Sequence, residues 1–406
     1  MNKIDGGVTA PKGFKAAGIQ AGIKNAKKDM AMIYSSAPCY AAGVFTKNLV
    51  KAAPVKWDML ILKESQTAKA IVINSGVANA CTGEQGYKFC EEMAKETSAK
   101  LGVKEQEVFV ASTGVIGKQL PMDKIINGID ILSKEINESI SAGSEAAQAI
   151  MTTDTVSKEI AVRFELSGKE VVIGGMCKGS GMIHPDMCTM LGFVTTDVSI
   201  SKELLQAALS EDVKDTYNMI SVDGDTSTND TVILMANGMA GNTEIIEKNT
   251  DYYIFLKALN FVNEYLSKKI AGDGEGATAL FEVKVLNAKD KEQAVGLSKA
   301  VVTSNLTKAA IFGHDANWGR ILCAMGYSGS DFNPDIVDIF FESKAGKLKI
   351  VENGMATDYS EEEATQILSE PEVTALLDVK QGKEMATAWG CDLTYDYIKI
   401  NADYRS

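Results

Sequence analysis

Residues 178–197 read KGSGMIHPDMCTMLGFVTTD, and the glycines and proline of this stretch build a tight turn that delivers Cys188-Thr189 into an apolar strand over 190–194. A thiol or hydroxyl carried this way is a potential nucleophile, although threonine at a strand start is equally explained by β-propensity. The usual activating partner is scarce. The chain holds two histidines, His184 and His314, and no G-x-S-x-G elbow, which leaves little room for a Ser-His-Asp triad. Any nucleophile must find another base. A thiol route through Cys188 would have to use His184, which lies inside the turn, so Cys188 is not the nucleophile expected here, and both histidines read as structural, with His184 the nearer to a site.

Other signatures fail in informative ways. Lys178-Gly179-Ser180 has lysine before glycine, whereas a phosphate-cradling loop needs glycine before lysine. In VDGDTSTNDT, Asp223 and Asp225 begin like a calcium loop, but Thr228 stands where the sharp turn needs glycine and Leu234 where a bidentate glutamate belongs. The seven cysteines are odd in number, widely spread and free of C-x-x-C pairs, so neither structural zinc nor a disulfide framework is expected, and no metal is assigned. Most of these thiols read as small core residues. Read alone, Ser112-Thr113-Gly114 is a strand-ending turn, Glu275 a solvated loop acid, Lys178 a solvated turn residue and the carboxy terminus a frayed end.

The net charge of −13, with only Arg163, Arg320 and Arg405 as arginines, argues against binding nucleic acid or an anionic membrane by bulk charge. No stretch reaches roughly 18 uncharged apolar residues, and the amino terminus lacks the apolar core of a signal peptide, so a cytoplasmic protein is expected.

The elements that must position these residues alternate. Apolar and β-branched runs predict strands over 30–34, 43–46, 70–74, 108–111, 159–164, 171–174, 190–195, 231–236, 281–286, 336–341 and 395–401. Helical spacing predicts helices over 85–101, 122–132, 139–151, 202–217, 251–267, 291–302 and 361–369. The clearest, 85–101, repeats Tyr87, Cys90, Met93, Ala94, Thr97 and Leu101 at three- and four-residue steps. The fold class is mixed α/β. AGDGEGATAL, around 271–276, follows a long helix and precedes a fresh strand-helix-strand pattern, which makes it the best boundary.

The 178–197 segment resembles the K-G-x-G-M-x-x-P-x-M-A-T-M-L signature of the ornithine acetyltransferase family, the bifunctional glutamate N-acetyltransferases of arginine biosynthesis. The resemblance runs through the chain in order: GGVTAPKGFKAAGI, AAGVFTKNLVKAAPV, NSGVANACTG, ASTGVIG, MTTDT, DGDTSTNDT, GEGAT, NWGRI with GYSG, and the terminal INADYRS. It implies a layered α/β sandwich of the self-cleaving aminopeptidase type with a smaller carboxy-terminal lobe, divided as 1–188, 189–280 and 281–406. It also implies self-cleavage between Cys188 and Thr189 into α and β chains that stay together, as (αβ)₂ or larger.

The catalytic residues implied by the resemblance are Thr189 as nucleophile, with the Thr113 hydroxyl and Gly114 N–H as oxyanion donors. A freed α-amino group with an ordinary pKa of about 7.7–8.0 would sit within reach of its own Oγ, so Thr189 could supply both nucleophile and base. The family's substrate-binding positions fall on Thr152, Lys178, Thr189, Glu275, Asn401 and Ser406, with Thr152 or its neighbour Thr153 making the contact. Glu275 would pair the ornithine ammonium; Asn401 and Ser406 would hold the α-carboxylate. Cys188 in place of the usual alanine, Asp186 in place of asparagine, and Ala279-Leu280 after GEGAT depart from the commonest pattern. The activity implied is acetyl transfer from N²-acetylornithine to L-glutamate with no cofactor, acetyl-CoA as a second donor being left open. A hydrolase or aminopeptidase on the same scaffold and an uncleaved metabolite-binding protein are the alternatives.

Overall fold

The computed structural model describes residues 1–184 and 190–403. Its first part contains β1 (Asn2–Ile4), β2 (Phe14–Ile19), β3 (Met30–Phe45), α1 (Ala53–Glu64), β4 (Ala68–Val77), α2 (Gly83–Leu101), β5 (Val108–Val115), α3 (Met122–Glu135), α4 (Ile140–Ala149), β6 (Lys158–Leu166) and β7 (Lys169–Lys178). Next come β8 (Leu191–Thr196), α5 (Lys202–Asp212), β9 (Ile220–Ser221), β10 (Thr231–Ala236) and α6 (Thr250–Gly272). The remainder comprises β11 (Leu280–Ala288), α7 (Lys291–Thr303), α8 (Asn305–Phe312), α9 (Trp318–Gly326), β12 (Asp338–Ser343), β13 (Gly346–Glu352), β14 (Met355–Ala356), α10 (Glu361–Leu368), β15 (Glu372–Asp378), β16 (Glu384–Cys391) and α11 (Tyr395–Asp403).

One sheet runs β1-β6-β7-β8-β10-β3-β4-β5, with β2 also on β3; a second runs β14-β13-β12-β15-β11-β16-β9. The chain therefore has the mixed α/β class expected of it. Successive strand residues face opposite ways, and this builds the layers. Val232, Leu234 and Ala236 of β10 join the core that includes Leu259, Val262 and Leu266 of α6, whereas Ile233 and Met235 join the core of Met32, Ile73 and Val110 on β3, β4 and β5. Strands buried on both faces need mostly apolar residues, which is why β10 is apolar from Val232 to Ala236 and β8 from Leu191 to Val194. No helix among the described residues is long and apolar enough to cross a membrane.

Two expectations change. The strands over 30–34 and 43–46 are one strand, β3: its beginning pairs with β2 and β4 and its end with β10, and its register against β4 shifts between Tyr34 and Cys39. Pro38 lies in that shift, where a residue without an N–H is tolerated, and its presence imitates a chain break. The segment expected as a strand over 395–401 is instead helix α11, with no buried residue. Tyr395, Tyr397 and Ile398 favour strands only where a sheet edge receives them. Here β16 ends at Cys391, and Asp392 turns the chain away by accepting hydrogen bonds from the Thr278 and Ala279 N–H groups at 2.9 and 3.2 Å.

The last register pair of the antiparallel β7 and β8 joins Lys178 to Leu191, so the described residues 179–184 and 190 make an excursion that leaves the sheet after Lys178 and rejoins it at Leu191. Parallel pairing of β8 with β10 then sets Leu191 beside Thr231. These two pairings bring the ends of the excursion next to the loop preceding β10.

Candidate functional site

At the carboxy-terminal end of β5 the chain must turn tightly against β4. Gly114 has φ +128°, and a Cβ there would run into the Gly76 backbone, so only glycine fits. Thr113 and Gly114 are consequently held half-buried at the strand end, alongside Ser75 and Gly76. Asn229 braces this corner from the loop before β10, donating through Nδ2 to the carbonyls of Ala78 at 2.6 Å and Ser112 at 2.8 Å.

The excursion after β7 is clamped from the same loop. Asp223 accepts from the Met182 and Ile183 N–H groups at 2.6 and 2.8 Å, Val222 N–H donates to the Ile183 carbonyl at 2.7 Å, and Thr226 Oγ1 donates to the His184 carbonyl at 2.8 Å. At the far end, Thr231 N–H donates to the Met190 carbonyl at 2.9 Å. Both stems flanking 185–189 are thus fastened to residues 222–231, so the stretch that resembles a failed calcium loop has a structural task. Thr189, Cys188 and Ser406 lie outside the described residues.

Lys178 is buried, and its Nζ donates to Thr152 Oγ1 at 2.6 Å and stands 3.8 Å from Asp154 Oδ2. Asp154 also accepts from Gly179 N–H at 2.7 Å and from Lys158 Nζ at 2.7 Å, and Lys158 reaches Asp273 at 2.5 Å. Burial alone would raise the Asp154 pKa, but the ammonium groups of Lys178 and Lys158 hold it well below the carboxylate range. Lys178 is shifted down by burial, against the pull of Asp154. A buried cation with a polar lining is suited to receive a carboxylate.

Glu275 is buried, not solvated, and Asn401 Nδ2 donates to its Oε2 at 2.8 Å. The second Asn401 contact is to the Tyr397 carbonyl at 3.0 Å, so both of its donor sites are engaged. Gly181 faces the Glu275 carboxylate so closely that a side chain there would displace it.

Thr113, Gly114, Thr152, Thr153, Lys178, Glu275 and Asn401 line one cleft, together with Met190 and residues 227–230. Seven positions drawn from both halves of the sequence therefore converge on residue 190, the neighbour of Thr189. Between Thr152 and Thr153, it is Thr152 that bonds Lys178. His184 bonds Ser221 through Nδ1 at 3.1 Å, and the exposed His314 lies 3.3 Å from Ser369 Oγ. Of the six described cysteines, Cys39, Cys90, Cys177 and Cys391 are buried, whereas Cys81 and Cys323 are exposed. Sequence reasoning missed Asn229, Asp230 and the Asp154–Lys158–Asp273 chain. DGDTSTNDT marked the first two as part of a motif without giving them a role.

The chain matches the ArgJ family over residues 15–406. It is 52% identical over 406 residues to the arginine biosynthesis bifunctional protein ArgJ of Caldanaerobacter subterraneus subsp. tengcongensis, with 100% of each chain covered. It is 54% identical over 394 residues to ArgJ 1 of Clostridium acetobutylicum, covering 97% of this chain and 96% of that one. The crystal structure of ArgJ from Bacillus halodurans superimposes with a TM-score of 0.51 at 47% identity, covering 53% of this chain and 99% of that chain.

Proposed function

The chain belongs to the ArgJ family, and from that premise we propose that it is an acyltransferase of arginine biosynthesis, moving acetyl from N²-acetylornithine to L-glutamate through an acetyl-Thr189 intermediate. The observation that carries this reading is the convergence of Thr113, Gly114, Thr152, Lys178, Glu275 and Asn401 on the cleft beside Met190. We assign the enzyme to the cytoplasm, as α and β chains of one precursor assembled as (αβ)₂ or larger.

The chemistry follows from the groups present. The free α-amine of Thr189 takes the proton from its own Oγ as that oxygen bonds the acetyl carbonyl carbon. The negative charge on the carbonyl oxygen meets the Thr113 hydroxyl and Gly114 N–H. Collapse of the tetrahedral adduct breaks the carbon–nitrogen bond, and the Thr189 ammonium returns its proton to the departing α-amine of ornithine. The neutral amine of glutamate then attacks the ester and reverses these steps. Lys178 offers a counter-charge to an amino-acid carboxylate and Glu275 one to the ornithine ammonium. Asn401 must exchange at least one of its two present contacts to reach a carboxylate.

Two results are expected. Acetylornithine alone should add about 42 Da to the β chain, glutamate should remove it, and steady-state lines at several glutamate concentrations should be parallel, because the first product leaves before glutamate binds. Intersecting lines with no labelled Thr189 after rapid quench would mean direct transfer; release of acetate without need of glutamate would favour the hydrolase. In addition, Thr113→Ala should lower kcat by about 10²–10³ with the fold intact, the usual effect of losing one oxyanion donor. An unchanged rate removes Thr113 from the site.

A further inference from the structure

L-Glutamate brings two carboxylates to the cleft, yet among the described residues lining it Lys178 is the one cation, set against the carboxyls of Glu275 and Asp230. Acetylornithine brings a single carboxylate, and its side chain ends in an ammonium for which Glu275 is the counter-charge. The acceptor therefore needs a cation that the donor does not. Lys24, on the loop between β2 and β3, stands where it can supply one. Asp29 folds this loop: its carboxylate accepts from the Ala21 N–H at 2.6 Å and the Lys24 N–H at 2.8 Å. Ser75 N–H then ties the loop to β4 by donating to the Asp29 carbonyl at 2.8 Å. The Lys24 stem runs over Gly76, where a Cβ would lie 2.9 Å from its Cγ, and Gly76 pairs with Gly114 across β4 and β5. Its Nζ donates to the Met151 carbonyl at 2.7 Å, one residue before Thr152, the partner of Lys178. Half-buried Lys24 thus stands at the edge of the cleft, between the neighbours of Gly114 and Thr152.

We propose that Lys24 is a specificity-determining residue that receives the side-chain carboxylate of L-glutamate in the second half-reaction, while Lys178 holds the α-carboxylate. The inference rests on the acetyl-transfer reading above. Burial, opposed by Asp29, lowers the Lys24 pKa to about 8, so at neutral pH the group is mostly ammonium. Its present acceptor is a neutral carbonyl, and exchanging that carbonyl for a carboxylate adds the attraction of opposite charges. The four-carbon stem of lysine permits the exchange without moving the backbone. Lys158 cannot take this part, because its side chain has no exposed surface and is enclosed by Asp154 and Asp273. Glu275 strengthens the division of labour: it attracts the ornithine ammonium and repels a glutamate side chain, which is thereby directed away from it and towards Lys24.

Lys24→Met keeps an unbranched stem over Gly76 and removes the charge. With acetyl-enzyme prepared from acetylornithine, kcat/KM for L-glutamate as acceptor should fall about 10- to 100-fold, the scale of one hydrogen bond to a charged group, and chiefly through KM. L-Glutamine has the same shape without the charge, so its kcat/KM should hold, as should the rate at which acetylornithine acetylates the β chain. Lys24→Arg, which keeps the charge, should retain most of the preference for glutamate. Equal losses with glutamate and glutamine, or a slowed first half-reaction with the glutamate preference intact, would assign Lys24 a structural task and overturn the proposal; an unchanged preference with no loss at all would do the same. Should Lys24→Met fail to fold, Lys24→Gln, which can still donate to the Met151 carbonyl, carries the same comparison. Wild-type enzyme that forms acetyl-enzyme and passes the acetyl to glutamate while its Lys24 variants discriminate as it does loses only this assignment. Wild-type enzyme that forms no acetyl-enzyme from acetylornithine loses the reading beneath it.

Discussion

Thr189→Ala should leave the 406-residue chain uncut and reduce acetyl transfer by a factor on the order of 10⁴ or more, the scale of losing a covalent nucleophile. Two independent consequences stand behind that size. Alanine has no oxygen to attack the Cys188 carbonyl, so the chain is not cut and the activating α-amine is never freed; and alanine has no hydroxyl to form the acetyl ester even if the chain were cut by other means. Wild-type protein on a denaturing gel should give fragments of residues 1–188 and 189–406, the second beginning with threonine by mass spectrometry. Thr189→Ser, which keeps an oxygen, should still be cut and should transfer acetyl more slowly. Cys188 supplies only its carbonyl, so Cys188→Ala should be cut as well. Cleavage of Thr189→Ala at the same bond would show that some other group attacks it, and a wild-type chain that stays whole would favour the uncleaved binding protein.

What the sequence revealed depended on how local each cause was. β10 was legible to the residue, since a strand buried on both faces needs an unbroken apolar run, and α2 was legible because its buried stripe of Cys90, Met93, Ala94 and Thr97 keeps helical spacing. Pro38 and α11 misled because their meaning is set by neighbours distant in sequence: a register shift in one case and the absence of a receiving sheet edge in the other. The site shows the same division. Thr113, Lys178 and Glu275 are individually ordinary residues, and only their ordered motifs marked them. The burial of Lys178 and Glu275, and the bond between Glu275 and Asn401 across 126 positions, come from the tertiary fold. Asn229 and Asp230 lie in a polar stretch that reads as solvated loop, although both are buried.

Lys158 is the strongest instance of information that no local pattern carries, and Lys158→Met should destabilise the protein by about 3–5 kcal/mol, the usual cost of breaking a buried ion pair from one side. Its side chain has no exposed surface and lies between Asp154, four positions away, and Asp273, 115 positions away. Both ends of the pair are tuned to remain charged. Asp154 is depressed against its own burial by two lysines, so its contribution is complete above the unfolded carboxylate value of about 3.9 and is lost as pH falls through the lower folded value. Lys158 would be lowered by burial, but Asp154 and Asp273 raise it, so its contribution is complete below about 10.4 and is lost only as pH rises through the higher folded value. Asp154 and Lys158 are therefore both charged throughout the neutral range. With Lys158 gone, Lys178, whose Nζ stands 3.8 Å from Asp154, should be drawn from Thr152 towards it, so KM for acetylornithine should rise as well. Adding Asp273→Asn to Lys158→Met removes one stranded carboxylate and should restore part of the stability. Denaturant midpoints and KM measured on the two variants test both halves; a loss below about 1 kcal/mol, typical of a surface pair, would mean that the two carboxylates had found other partners or protons.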